Sequence, residues 1–492
     1  MNFIYTPTNI SSNEFLDKGY SFSASLYKRV QITSKKVKTV RDLLDPNCMY
    51  DKGAEPGSIW YMKKSPCKFI RTKALQNFSN ILYPKGNAII GINPNVFVNA
   101  HLKTGDILMS KDSNIGECAV VTNDRTDNYM FSSGMVRLHP ICDTYYLFSF
   151  LKHSFFKQQL TCAVPRGATI KHAKELWLDC YIPFPENSFF YGKVSALMQA
   201  IIQIEYEIKE KSEAIQLIIN KELENNQKPF QYLYDYPSSQ EIEESGRFDA
   251  AIFSEKFKNK IHKIENYTMG STTPKNSGFS ITPGPSLEIK LLKVRIDSDT
   301  YKEGYYSLIL PTNISEYGTM NAIPYLGTPK KLPELKYGDV IFGEAGFQKG
   351  RSIVLLDRTS QRKYTTNAHG LYARREDGNI QESVFFRCIF DWYRSNGLID
   401  LMAVGGSGGH FSPEYFESIR IPNFPQKIKE KIVSCYCNTV EKTIEYCGDI
   451  ANFVSAWKKQ AQHLGIWELS QQKLTLQEEL SAIQQDIING KC

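Results

Sequence analysis

The sequence has little of what marks secreted, membrane and metal-binding proteins. Its eleven cysteines include no Cys-x-x-Cys pair, which most structural zinc sites and thioredoxin-like motifs contain. No run approaches the roughly 18 uninterrupted apolar residues of a membrane helix, and the opening MNFIYTPTNISSNEF lacks the basic and apolar regions of a signal peptide. Scattered cysteines without such regions are typical of reduced thiols in a cytoplasm. We therefore expect a cytoplasmic protein with no membrane partner and no structural zinc.

Signatures of catalysis are missing as well. The nearest counterpart of the phosphate-binding pattern GxxxxGK[ST] is GFQKGRS at 346–352, which lacks the spacing and a lysine at the required position. The glycines of VGGSGGH at 404–410 indicate a loop rather than a nucleotide site. The eight histidines form no HExxH motif and no Cys/His cluster, and no Asn/Asp-Pro-Pro-aromatic stretch marks an amino-methyltransferase. Glu288 and Lys290 match part of a nuclease pattern, but no convincing acidic partner precedes them. We expect no catalytic residue, metal or cofactor in this chain.

Positive charge is concentrated near the start of the chain, although the formal net charge is only +7. Residues 1–185 carry 23 Lys and Arg against 14 Asp and Glu, whereas residues 227–425 carry 24 against 23. A region of this kind can bind a polyanion such as nucleic acid. A solvated basic surface is the simpler explanation of this feature taken alone.

The chain contains an internal repeat. GDILMSKDSNIGECAVV (105–121) and GDVIFGEAGFQKGRSIVLL (338–356) each follow Leu-Lys-x and begin 233 residues apart. EFLDKGY (14–20) resembles GRFDAAI (246–252), and GATIKHAKELWLDCYIPFP (167–185) resembles GSGGHFSPEYFESIRIPNFP (406–425). Three landmarks in one order at nearly constant spacing indicate a duplicated plan.

Each copy leads into a segment with helical periodicity. In 193–225 the apolar steps alternate between three and four residues, with Lys211 as the one polar exception, through Val194, Leu197, Ile201, Ile204, Ile208, Ile215 and Ile218. Such a heptad seam predicts pairing with another helix, and ordinary bundle packing is the alternative. A less regular C-terminal pattern runs through Ile432, Tyr436, Val440, Ile444 and Cys447, resumes at Val454, Trp457, Ala461 and Leu464, and after a bend at Gly465 continues through Leu476, Leu480, Ile483 and Ile487.

These patterns predict an α+β fold with four segments. A mixed, strand-rich domain at 1–185 is followed by a central helical spacer at 186–226. A second mixed, strand-rich domain at 227–425 is followed by a C-terminal helical region at 426–492. The GD step suits a turn into a strand, and KDSNIG suits a hairpin tip at which Gly116 can adopt a positive φ. The GD turn therefore has a structural role, and function depends on the side chains that the two different hairpin tips expose.

The repeat, the GD unit and the helices resemble the DNA-specificity (S) subunit of type I restriction–modification systems. The resemblance covers nearly the whole chain and rests on LKTGDILMSKDSNIGECAVV, on GATIKH…YIPFP before a long helix, and on the Leu-Asp and Phe-Asp landmarks at 16–17 and 248–249. It implies that each target recognition domain reads half of a split double-stranded DNA target. It also implies that the paired antiparallel helices form a coiled coil and dock two methyltransferase subunits, which a restriction translocase subunit can join. Residues 186–190 depart from the family's usual helix opening, and this bears on the type of partner.

Base edges are read by Arg, Lys, Asn, Gln or Ser held on a rigid edge, whereas Lys and Arg elsewhere bind phosphate. The DNA-binding candidates are Ser110, Lys111, Asn114, Arg166, Thr169, Lys171, His172, Gln348, Lys349, Arg351, Asn367, Ser407 and His410. The partner-binding candidates on the outward helix face are Tyr206, Lys209, Glu213 and Gln216. Two other classes stay open at this point: a helical scaffold with incidental DNA binding, and a nucleic-acid enzyme with an unrecognised active site.

Overall fold

The computed structural model describes residues 2–83, 86–112, 114–122, 128–163, 174–229, 232–346, 349–358, 361–405, 409–438 and 463–492. Over these residues the chain forms two compact units, unit 1 with 2–206 and 472–492, and unit 2 with 207–438 and 463–471. No helix in the described ranges is long and apolar enough to cross a membrane.

Unit 1 is mostly short strands. The strands are β1 Ile4–Tyr5, β2 Arg29–Val30, β3 Val37–Thr39, β4 Tyr50–Lys52, β5 Tyr61–Met62, β6 Lys68–Ile70, β7 Ile89–Ile92, β8 Ile107–Ser110, β9 Cys118–Val120, β10 Tyr129–Phe131, β11 Met135–Leu138 and β12 Tyr181–Pro183. The helices are α1 Ser12–Asp17, α2 Thr144–Lys152, α3 Ser154–Ala163 and α4 Ser188–Asn225, the last of which continues into unit 2.

Unit 2 has the same mixture. Its strands are β13 Ser271–Thr272, β14 Phe279–Pro283, β15 Ile296–Ser298, β16 Tyr306–Leu308, β17 Tyr325–Gly327, β18 Val340–Gly343, β19 Ser352–Val354, β20 Lys363–Thr365, β21 Gly370–Arg375 and β22 Ile421–Pro422. The helices are α5 Ser239–Ser245, α6 Glu255–Glu265, α7 Ile289–Leu292, α8 Ile380–Ser395, α9 Leu398–Met402, α10 Gln426–Tyr436 and α11 Ile466–Ile488, which continues into unit 1.

The two units share one sheet topology. Unit 1 contains an antiparallel sheet of order β4-β11-β8-β9, a mixed sheet of order β10-β6-β7-β5 and the pair β12-β3. Unit 2 contains β14-β21-β18-β19, β20-β16-β17-β15 and β22-β13. The single parallel pairing in each mixed sheet also corresponds, since β10 pairs with β6 and β20 with β16. Equivalent strands in equivalent order confirm the α+β fold class and the duplicated plan.

The hydrophobic core of each unit joins residues from its two four-stranded sheets. In unit 1 Ile70 and Phe131 of the mixed sheet pack with Leu108 and Met135 of the antiparallel sheet. The leucine of Leu-Lys-x-Gly-Asp belongs to these cores, as Leu102 in unit 1 and as Leu335 in unit 2. Its burial ties the repeated sequence unit to the packing between the sheets.

The buried side of α4 follows a straight helix rather than a strict heptad. One stripe of its buried positions runs through Val194, Leu197, Ile201, Ile204, Ile208, Ser212, Ile215, Ile219 and Leu223. This is one position in ~3.6 residues, the natural period of an α-helix. The predicted Lys211 and Ile218 are therefore wrong as seam residues, because the stripe drifts by one residue and Ser212 and Ile219 take their places.

Within unit 1, α4 and α11 run antiparallel, as predicted. The Lys193 ammonium lies 2.6 Å from Glu479, and further along α4 Glu205 pairs with Lys473. The predicted apolar positions Leu476, Leu480, Ile483 and Ile487 of α11 are buried, and Gly465 directly precedes the helix. Ile432, Tyr436 and Leu464 are buried too, whereas Val440, Ile444, Cys447, Val454, Trp457 and Ala461 lie outside the described residues.

Candidate nucleic-acid interface

The repeated GD unit forms the same hairpin in both units. In unit 1 β8 and β9 are joined by a loop that the Gly116 N–H closes on the Ser110 carbonyl at 2.9 Å. In unit 2 the Gly350 N–H bonds the Gly343 carbonyl at the same distance. Gly116 and Gly350 have φ values of +78° and +76°, which glycine adopts without strain. The predicted hairpin and the positive φ of Gly116 are confirmed, and the second tip is one residue longer.

The aspartate of the GD step anchors each hairpin to the neighbouring strand. In unit 2 the Asp339 carboxylate accepts bonds from Arg374 on β21, at 2.6 Å, and from the Lys336 N–H, at 2.7 Å. In unit 1 Asp106 accepts from the Lys103 N–H at 2.9 Å and lies 3.4 Å from Arg137 on β11. The same turn thus recurs because its carboxylate holds an arginine of the central strand, which is a structural role.

Few of the predicted residues remain available at the tip in unit 1. Ser110 is fully buried, and its hydroxyl donates to the Asp112 carbonyl at 2.6 Å. Lys111 is half-buried and Asn114 is exposed. Of the three sequence candidates at this tip, Lys111 and Asn114 are therefore the two that a ligand can reach.

A basic turn lies beside the tip of unit 1. Gly134 lies between Thr72 and Asp112 of the tip, since a Cβ atom on this glycine would be 3.0 Å from the Thr72 methyl and 3.6 Å from the Asp112 side chain. Arg71 and Lys73 flank Thr72, and both bond to Asn87, at 3.2 and 3.1 Å. The charge count of the sequence includes these two cations, but only the packing of this turn against the tip makes them candidates for phosphate contacts.

In unit 2 two predicted cations are engaged inside the unit. Lys349 is buried, with its ammonium 3.1 Å from the Asp400 carboxylate. Arg351 donates to the Ile314 carbonyl at 3.0 Å and lies 3.7 Å from Glu316. Burial raises the pKa of Glu316 and lowers that of Arg351, as expected for a desolvated pair. Both cations hold the base of the hairpin in place.

The exposed polar groups of the second tip surround Glu344. Its carboxylate lies 4.0 Å from His369 and 3.6 Å from His410, whose rings are 67% and 54% exposed. The Glu344 N–H also bonds the His369 carbonyl at 3.0 Å, and Asn367 accepts from the His369 N–H at 3.2 Å. Asn367 and His410 are among the DNA-binding candidates from the sequence, whereas His369 is not. Asn367 and His369 both belong to the turn between β20 and β21, which reaches the tip through the pairing of β21 with β18.

Several sequence candidates lie outside the described residues. These are Arg166, Thr169, Lys171, His172, Gln348 and Ser407.

The partner-binding candidates on α4 differ in their surroundings. Glu213 is exposed and Lys209 lies 3.8 Å from it, one turn away. Tyr206 is half-buried. Gln216 donates to Asp391 of α8 at 3.1 Å, and nearby Asn220 accepts from the Trp392 indole at 2.8 Å. Gln216 therefore contacts α8 within unit 2, and its role in partner binding stays a prediction.

Comparison with known proteins finds similarity among solved structures alone. The chain matches no protein-family model and no curated protein. It is similar to the S subunit of a type I restriction–modification system from M. genitalium, at 12% identity and a TM-score of 0.40, over 93% of this chain and 95% of that one. It is similar to the HsdS subunit of Thermoanaerobacter tengcongensis, at 13% identity and a TM-score of 0.27, over 93% and 97%. A chain from a study of assembly and conformational transition in the type I R-M system matches at 12% identity and a TM-score of 0.28, over 93% and 98%.

Proposed function

We propose that this chain is the non-catalytic DNA-specificity subunit of a type I restriction–modification complex. The observation that carries the proposal is the duplicated topology, in which two units of equal strand order present the same hairpin with different tips. A repeated scaffold with different tips suits a target of two unequal parts. Each unit reads one part of a split, asymmetric duplex sequence.

The chemistry of the two tips supports different base preferences. Lys111 and Asn114 offer donors that suit guanine and adenine edges. In unit 2 Asn367, His369 and His410 surround a carboxylate, and Glu344 suits the amino group of cytosine. Arg71 and Lys73 beside the first tip suit phosphate. The candidates outside the described residues, including Arg166 and Lys171, complete the proposed interface.

The proposed division of labour follows the predicted segments. Residues 1–185 and 227–425 act as target recognition domains, and the helical segments 186–226 and 426–492 act as spacers that dock two methyltransferase subunits. The single helix α4 has 38 residues and is about 57 Å long. Its exposed positions around Glu213 are offered to a partner. Methylation takes place on the partner subunits, which extrude the target base, and a restriction translocase subunit can complete the complex.

Selection from random duplex DNA tests the proposal. The tagged chain is purified from its own host, so that tightly bound partners come with it, and bound duplexes are sequenced. Two short, different blocks at one constant gap are the expected result. Salt-sensitive binding without an enriched sequence would refute the specificity role and favour a helical scaffold. Turnover of nucleic acid by the isolated chain would instead favour an enzyme.

Alanine substitutions test one segment of the proposed interface, residues 166–171, more sharply. Replacement of Arg166 and Lys171 by alanine is expected to weaken DNA binding without unfolding the protein. Unchanged affinity for both the selected and a random duplex would remove that segment from the interface.

A further inference from the structure

Three metal-ligating side chains meet at one end of the antiparallel sheet of unit 1. The Cys48 thiol donates to Asp51 Oδ1 at 3.7 Å, and His139 Nε2 lies 3.0 Å from Asp51 Oδ2. The sulfur, the nitrogen and one carboxylate oxygen all lie within 4.8 Å of one another. Among the described residues this is the one group of three such ligands. No local sequence motif indicates this group of ligands, because His139 follows Asp51 by 88 positions.

The backbone holds these three residues in place. Asp51 on β4 pairs with Arg137 on β11. The His139 N–H bonds the Met49 carbonyl at 3.1 Å, and the Cys48 N–H bonds the Asp45 carbonyl at 3.2 Å. Ligand atoms around a tetrahedral Zn²⁺ with bonds of about 2.0–2.3 Å are ~3.5 Å apart. The observed separations therefore need small side-chain rotations and no movement of the strands.

Arg137 is compatible with a bound cation. Its Nε donates to Asp51 Oδ2 at 2.9 Å, which leaves Oδ1 facing the Cys48 thiol. A ligating carboxylate is commonly hydrogen-bonded through its other oxygen, and this second contact orients it. Binding of a divalent cation releases the Cys48 thiol proton, and the resulting thiolate and the Asp51 carboxylate together offset the charges of the ion and the guanidinium. Cys48 is exposed, so a fourth position would be open to water.

The duplicated fold does not require this cluster. Leu138 pairs with Ile107 as Ala373 pairs with Val340, so Arg374 stands in unit 2 where His139 stands in unit 1. Tyr372 pairs with Thr282 where Arg137 pairs with Asp51, and residues 275–282 contain no cysteine. Unit 2 builds the same sheet without a thiol or an imidazole there. The donor set in unit 1 is an addition to the fold.

We propose that Cys48, Asp51 and His139 form a binding site for a borderline-soft divalent cation of the Zn²⁺ class, with water as the fourth ligand. Sulfur, imidazole and carboxylate ligands at this spacing select Zn²⁺ over Mg²⁺ or Ca²⁺, which prefer oxygen ligands alone. The ion clamps β4 to β11. The site lies where β8 begins, because Leu138 pairs with Ile107, whereas the hairpin tip follows Ser110 at the opposite end of the strand. It therefore does not depend on the proposed DNA-binding function.

Titration of the tag-free full chain with Co²⁺ tests the site directly. One equivalent is expected to produce the near-ultraviolet absorption band of a thiolate–cobalt bond, and Zn²⁺ is expected to displace it. Cys48→Ser should abolish the band, and His139→Asn should weaken binding at least tenfold. Cys142→Ser is the matched control, because it removes a half-buried thiol of the same unit and should leave the band unchanged.

The proposal is overturned if no thiolate–cobalt band appears, or if Cys48→Ser retains it at full strength. A zinc-dependent rise in the thermal unfolding temperature that persists in His139→Asn would also contradict it. Selection of duplex DNA by Cys48→Ser distinguishes a failure of the metal-site proposal from a failure of the DNA-specificity proposal. Enrichment equal to that of the unaltered chain is expected, since the site is remote from the tip, and loss of the metal site would leave the specificity proposal untouched.

Discussion

Replacement of the corner aspartate should affect the two hairpins very differently. Asp339 is buried, and its carboxylate accepts three hydrogen bonds, two from Arg374 and one from the Lys336 N–H. Asp339→Asn keeps one acceptor for the backbone, but it leaves the guanidinium opposite an amide. Removing one partner of a buried pair costs about 3–5 kcal/mol. Since the Arg374 side chain is 25% exposed, we expect a loss near the lower end, about 3 kcal/mol.

The equivalent change in unit 1 should be mild. Asp106 is 23% exposed and makes one contact with Arg137, at 3.4 Å. After Asp106→Asn the guanidinium of Arg137 still pairs with Asp51, so no charge is left alone. The expected loss is about 1 kcal/mol, the net value of an ordinary hydrogen bond. The two variants thus change the same turn aspartate in settings that differ in burial, in the number of bonds from arginine and in the presence of a second carboxylate.

Native-state hydrogen exchange measures each hairpin separately in this chain of two units. A loss of 3 kcal/mol should raise exchange of the β18–β19 amides by roughly 150-fold, and 1 kcal/mol should raise that of β8–β9 by about 5-fold. Equal increases in the two hairpins would refute the argument from burial. Under the proposed function, Asp339→Asn should also lose the sequence block read by unit 2 while retaining the other.

Three further predictions concern a histidine, a tip and a pair of glycines. Burial lowers the pKa of His153 to about 4, and its Nδ1 accepts the Phe155 N–H, so the ring is neutral in the fold. Because the histidine of the unfolded chain takes up a proton near pH 6.5, the free energy of unfolding should fall by about 3 kcal/mol between pH 6.5 and 4. His153→Asn should flatten this pH dependence in denaturant titrations carried out at a series of pH values. An unchanged slope would contradict the assignment to His153. Alanine at both Lys111 and Asn114 should remove one enriched DNA block and keep the other, with a loss of about 1–3 kcal/mol per base contact in anisotropy titrations; loss of both blocks would disprove separate reading. Gly105 and Gly338 have positive φ values of +96° and +88°, so alanine at either position should cost about 1 kcal/mol of stability. A Cβ atom at 338 would also lie 2.5 Å from the Ile380 side chain, so hydrogen exchange should show a greater loss of stability for Gly338→Ala than for Gly105→Ala. Equal losses would exclude the clash with Ile380.

The comparison of sequence with structure is clearest at the hairpin. Local rules sufficed for the GD corner, the β8–β9 pairing and the positive φ of Gly116, since each depends on residues within a few positions. The same rules suggested Ser110, Lys349 and Arg351 as readers of DNA, because their chemistry is suitable. The two cations pair with the distant residues Asp400 and Ile314, which no local pattern specifies. Ser110 bonds to its near neighbour Asp112 and is buried in the sheet.

The helices illustrate a second kind of difference. The apolar spacing of α4 correctly predicted a buried stripe and a helical partner, and the family resemblance supplied the antiparallel direction. A heptad template placed the stripe one residue early beyond Ile208, because a straight helix turns once in 3.6 residues and the template assumes 3.5. The hydrogen bond of Gln216 to Asp391 of α8 joins residues 175 positions apart, which no helical template can specify.

The sequence by itself determined the α+β class, the duplication, the repeated hairpin and the long helix that follows the first domain. These features arise from periodicity, turn chemistry and the recurrence of the same pattern, all of which are written along the chain. Only the tertiary structure decided which polar groups face outward and which distant ones meet. Cys48 and His139 approach because β4 pairs with β11, and Glu344 meets His369 because β18 pairs with β21. Strand pairing joins residues far apart in sequence, and the energy that selects it comes from burial of the whole sheet rather than from the residues that it brings together.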